Sequence, residues 1–140
     1  MRVLVIDGQG GGLGRQLVTA IKAYSKDIEV IAVGTNSTAT NAMLKAGADH
    51  AATGENSVLV ASGKADVIMG PVGIVIADSM LGEITPKMAV AVGQSAARRI
   101  LIPVNLCDNI VVGVSDMSVG KNIQNAIGIL DKISERNRSE

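Results

Sequence analysis

The sequence predicts an α/β fold: a three-layer, doubly wound, mostly parallel sheet of about six strands, closed at one edge by an antiparallel hairpin of strands five and six. Three observations predict it. Short β-branched runs alternate with segments of helical periodicity, which is the order of a parallel sheet with crossover helices. Hydrophobic residues make up 47% of the chain and aromatic ones 1%, so the core is aliphatic, as in strands buried on both faces. The chain has 140 residues, enough for one layered domain, taken as residues 1–136 with a charged tail at 137–140.

The first strand is residues 2–6, Arg-Val-Leu-Val-Ile, too short and too β-branched for a buried helix. Leu13, Leu17, Ile21 and Tyr24 then recur at helical spacing. A second strand covers residues 28–33, and Ala39, Ala42, Met43 and Ala46 mark a short helix stopped by Gly47. Residues 49–53 read as a short third strand, 57–63 as a helix and 66–69 as the fourth strand, closed by Gly70, Pro71, Val72 and Gly73. Residues 72–81 carry two patterns. Val72, Ile74, Val75 and Ile76 suit a strand, but Val72, Val75, Ile76 and Met80 share one helical face and Gly82 offers a stop, so the spacing favours a helix.

Thr85-Pro86 is a start signal, a capping hydroxyl followed by proline at the first helical position, and Met88, Ala91, Val92 and Ser95 form the packed face. Residues 100–104 and 110–114 are the fifth and sixth strands. Only five residues separate them, whereas a parallel crossover needs about a dozen, so the two are expected to pair as an antiparallel hairpin. Ile123, Ala126, Ile127, Leu130 and Ile133 make a final amphipathic helix, after which the charged end is expected to fray in solvent.

Composition narrows function. Thirteen basic and 13 acidic residues cancel, and no basic cluster is interleaved with aromatics, so neither a nucleic acid nor a membrane surface is an expected partner. The apolar start breaks at Asp7, too early for a signal peptide or a spanning segment, and a lone cysteine fits a reducing compartment, so a cytoplasmic location is expected. One Cys and one His do not make a metal set, and no metal site is expected.

The chemistry concentrates in the turn between the first strand and the first helix: Asp7, Gly8, Gln9, Gly10, Gly11, Gly12, Leu13 and Gly14. A helix N-terminus carries unpaired N–H groups and about half a positive charge, and glycines let a bulky anion approach the backbone. Gly8, Gly12 and Gly14 fit G-x-x-x-G-x-G, which resembles the cofactor loop of short-chain dehydrogenases, while the G-x-G-x-x-G register fails. A Walker A reading fails too, because Gly14-Arg15-Gln16 lacks the lysine and the magnesium-binding hydroxyl. Such a loop is compatible with a nucleotide or dinucleotide cofactor, or with a tight turn that holds no ligand.

Asp7 complicates the cofactor reading. Its carboxylate would repel a pyrophosphate by a few kcal/mol unless a cation, a proton or a hydroxyl-bearing ligand offsets the charge; alternatively it caps the turn. The second strand ends in Gly34-Thr35-Asn36-Ser37, without the acid that accepts the ribose hydroxyls of NAD. The Tyr-x-x-x-Lys pair of short-chain dehydrogenases is also missing, since Ile28 stands four places after Tyr24. Strands one and four should lie side by side, so the glycine loop would face Gly70, Pro71 and Gly73, with Asn105 opening on the same edge.

Residues 5–14, 70–86 and 102–105 together are similar to an uncharacterised bacterial family of short Rossmann-like proteins. The resemblance implies a single-domain protein without an assigned activity, and no catalytic residue is carried over from it. The expected function is therefore binding of a nucleotide or other phosphorylated small molecule, with Asp7 and Asn36 orienting its polar groups. Two alternatives stay open: a small enzyme using Asp7 with Cys107 or Glu83, and a homo-oligomeric interaction protein whose apolar faces at residues 72–80 and 88–92 pack against other copies.

Overall fold

A computed structural model describes residues 1–104 and 108–140. Five parallel strands form one sheet in the order β3-β2-β1-β4-β5: β1 is Arg2–Asp7, β2 Glu29–Gly34, β3 His50–Thr53, β4 Val67–Pro71 and β5 Arg98–Ile102. The helices are α1 Gly12–Tyr24, α2 Ser37–Lys45, α3 Glu55–Ser62, α4 Pro86–Gln94 and α5 Val119–Ser139. This is a Rossmann-like arrangement, with the strand order reversing at the β1/β4 boundary.

Alternation along β1 builds both cores. Val3 and Val5 point into one cluster with Leu17, Ile21, Met43, Ile123 and Leu130, from α1, α2 and α5. Leu4 and Ile6 point into the other, with Val58, Ile84, Met88 and Val92 from α3, α4 and the segment before α4. All four β1 side chains are fully buried, as the aliphatic composition requires of a central parallel strand. Gly70 allows β4 to close on β1, because a Cβ there would collide with the Ile6 carbonyl.

Three expectations are corrected. The sheet has five strands rather than six, and the described residues contain no antiparallel edge strand: residues 110–114 pair with no strand, and β5 is the edge. Chain length rules out a parallel crossover between residues 104 and 110, but it does not force pairing at all; a β-branched run can also stand free. Residues 72–81 form neither strand nor α-helix. Val72–Val75 is one 3-10 turn, and the positive φ of Asp78 (65°), Met80 (55°) and Leu81 (57°) breaks any helix beyond it. β5 begins at Arg98, two residues before the first apolar position, because backbone pairing of Arg98 with Val67 and Arg99 with Ile68 does not need apolar side chains. At the C-terminus α5 continues to Ser139, with residues 135–140 exposed.

Candidate functional site

The carboxyl ends of β1, β2 and β4 meet at one edge, and the β1–α1 turn crosses it. Its hydrogen bonds show what the turn is already using. The Asp7 carboxylate is buried and accepts the Gly8 N–H at 2.8 Å on one oxygen and the Gly14 N–H at 2.7 Å on the other. Gly14 is the third residue of α1, so Asp7 acts as the helix cap that Gly11 cannot provide. Burial pushes the Asp7 carboxyl above its usual pKa; the two N–H groups pull it down, less strongly, and the nearby Glu83 charge adds to the rise.

The five glycines of the turn divide into two sets. A Cβ on Gly14 would lie 2.6 Å from Met43 Sδ and 2.8 Å from Asp7 Cβ, and one on Gly8 would lie 2.7 Å from Thr35 Oγ1. Gly11 has φ +74° and a Cβ there would meet Ala39 Cα at 2.7 Å. Packing explains these three. Around Gly10 and Gly12 nothing lies within 4 Å of a Cβ position, and neither has a positive φ. The N–H groups of Gly10, Gly12 and Leu13 donate to no described residue. The outer side of the loop thus presents open space and three free donors at a helix N-terminus.

Above it lies a carboxylate from far along the chain. Glu83 Oε1 accepts from the Gln9 N–H at 3.0 Å, Thr35 Oγ1 at 2.7 Å and Asn36 Nδ2 at 2.7 Å, while Oε2 accepts nothing from the described residues. Burial pushes the Glu83 pKa up, but the hydrogen bonds from Thr35, Asn36 and Gln9 together outweigh it and hold the group below its usual value. Asn36 is shared. Its Oδ1 caps α2 by accepting from Ala39 N at 2.9 Å, and its Nδ2 also donates to Gln9 O at 3.0 Å.

The segment that carries Glu83 is held firmly. Ser79 is buried and donates to Gly73 O, Asp78 N donates to Ile84 O at 2.8 Å, and Met80 packs into the core while Leu81 is 98% exposed. Three non-glycine residues with positive φ, at about 1–2 kcal/mol each, are tolerated there because these contacts over-determine the turn. The result is a carboxylate delivered to the end of β2, where the sequence of β2 itself offers none.

Of the residues singled out by sequence, Asp7, Gly8, Gln9, Gly14 and Asn36 gather here. Gly70 and Pro71 are buried inside β4, and Gly73 is buried in the 3-10 turn where it accepts from Ser79. Asn105 and Cys107 lie outside the described residues. Sequence reasoning missed the contact of Thr35 and Asn36 with Glu83; the partners are 48 and 47 residues apart, and no local signal links them. Among the described residues no three His, Cys, Asp or Glu side chains gather into a metal-holding group. Cavities of about 450 and 490 Å³ lie at the opposite, amino-terminal edge of the sheet.

A family model described as a domain of unknown function (DUF3842) matches residues 2–135. The chain belongs to that family. The match spans both the glycine loop and Glu83. Comparison with curated proteins gives no match. Among solved structures the chain is similar to a dodecameric FMN-dependent Ubix-like decarboxylase from Escherichia coli O157:H7, with 17% identity, 94% of this chain and 76% of that chain covered, and a TM-score of 0.49. No helix of the described residues is long and apolar enough to cross a membrane.

Proposed function

We propose that this DUF3842 chain binds a nucleotide or another phosphorylated small molecule on the outer side of the β1–α1 loop. The observation that carries the reading is the division of the glycines: Gly8, Gly11 and Gly14 are required by packing, whereas Gly10 and Gly12 face open space beside three unpaired N–H groups. A phosphate is the group that free donors at a helix N-terminus receive best. Glu83 Oε2 stands beside them to meet hydroxyls or amides of the same ligand.

Two carboxylates near a phosphate oppose binding, and the structure limits that opposition. Asp7 is buried with both oxygens committed to backbone N–H groups. Glu83 shares its charge with three donors on one oxygen. The enzyme alternative gains nothing from Asp7, whose carboxylate faces the helix end rather than solvent.

Thermal unfolding against a panel of nucleotides, dinucleotides and sugar phosphates tests the proposal. A true ligand at 100 times its Kd adds about 2.7 kcal/mol. The expected result is a rise in Tm with at least one phosphorylated compound and none with its dephosphorylated counterpart; a flat panel at millimolar concentration contradicts it.

A further inference from the structure

We propose that residues 110–114 of one copy dock in the groove between α3 and α4 of a second copy. The inference rests on two exposed apolar features of the same molecule. Residues 108–118 form turns and irregular backbone between β5 and α5, and they carry a β-branched run into solvent: Ile110 is 91% exposed and Val112 94%, with Val111 and Val114 about half exposed. A monomer that leaves such a run uncovered is marked for association. On the α3–α4 face a groove of about 410 Å³ is lined by Leu59, Pro86, Lys87, Val90, Ala91 and Gln94, and Val90 stays about half exposed in it.

Charge indicates how the two fit. The arm is flanked by Asp108 and Asp116, and no basic residue occurs between Arg99 and Lys121. The one charged residue lining the groove is Lys87. An acidic-flanked apolar strand meeting an apolar groove with a lysine at its end is complementary in both terms. The arm leaves β5 and the groove begins at Pro86, both at the carboxyl edge of the sheet, yet the chain does not seat its arm in its own groove. A second copy supplies the missing half. Reciprocal exchange gives a two-fold dimer, which meets no long-range repulsion because the net charge is zero.

The test is light scattering of the full chain at micromolar concentration, with no ligand present. Wild type is expected to be an oligomer. The double variant Ile110→Asp/Val112→Asp and the groove variant Val90→Glu should each dissociate at least about tenfold more readily. All three positions are exposed in the single copy, so both variants should keep the fold and unfold cooperatively as monomers. Mixing them should restore association, because one intact arm then meets one intact groove. Lys87→Glu should weaken the oligomer, and Asp108→Lys or Asp116→Lys should recover it in that background. A wild-type monomer, an oligomer indifferent to both variants, or a mixture that fails to reassociate overturns the proposal; so does a monomer whose Tm falls with the arm variant, since that places the arm in its own groove.

Discussion

The two sides of the β1–α1 loop use the same backbone in opposite ways. On the inner side every donor and every missing side chain has an internal reason: Asp7 takes the N–H groups of Gly8 and Gly14, and Gly8, Gly11 and Gly14 make room for Thr35, Ala39 and Met43. On the outer side Gly10, Gly12 and three N–H groups serve no contact among the described residues. A glycine-rich turn is therefore not one signal but two, a packing device and an anion platform, and only the second bears on function. The chain's own carboxylate occupies the inner half of the helix N-terminus, which leaves the outer half for a ligand.

Substitutions should separate the two sides. The largest effect is expected at Gly11→Ala, where a left-handed backbone and a Cβ 2.7 Å from Ala39 Cα combine to cost about 3 kcal/mol, read by urea unfolding. Asp7→Ala leaves the Gly8 and Gly14 donors without their acceptor and should cost about 2 kcal/mol, part of the loss being returned because a buried carboxylate is removed. Gly10→Ala and Gly12→Ala should lie within about 0.5 kcal/mol of wild type, or be slightly stabilising, while weakening ligand binding. Equal losses at Gly11 and Gly12 would erase the distinction.

The two carboxylates should also titrate in opposite senses. Asp7 has a folded-state pKa above its unfolded value of about 3.8, so its contribution is fully present below that pH and is lost as pH rises through the raised value. Stability of wild type relative to Asp7→Asn should therefore decline from acid toward neutral pH. Glu83 has a folded-state pKa below its unfolded value of about 4.5, so its contribution is present above that pH and is lost as pH falls through the lowered one. Wild type relative to Glu83→Gln should gain stability over the same interval, by about 1 kcal/mol or less because the group is partly solvated. Parallel pH profiles for the two variants would contradict the assignment of roles.

Much of this was legible in the sequence where the signal is local. The aliphatic strands, the glycine turn and the Thr85-Pro86 start appear in the structure where spacing places them, with Thr85 Oγ1 accepting from Met88 N. Asp7 as a cap was one of two open readings, and hydrogen-bond geometry favours it. What sequence could not supply depends on distance along the chain. β5 starts under two arginines because edge pairing is set by the β4 backbone. Residues 72–81 show helical spacing, but the turn is decided by Ile84 and Ser79 closing on Asp78 and Gly73. Glu83 reaches Asn36 only after the sheet has formed, which is why the acid missing from β2 looked absent altogether.

The most direct test of the outer-face claim is amide NMR of the 15N-labelled chain titrated with inorganic pyrophosphate to millimolar concentration. The account predicts that the N–H signals of Gly10, Gly12 and Leu13 shift in a saturable way while those of Gly8 and Gly14, held by Asp7, move little. Unshifted signals at all five, or shifts centred on Gly8 and Gly14, would contradict it.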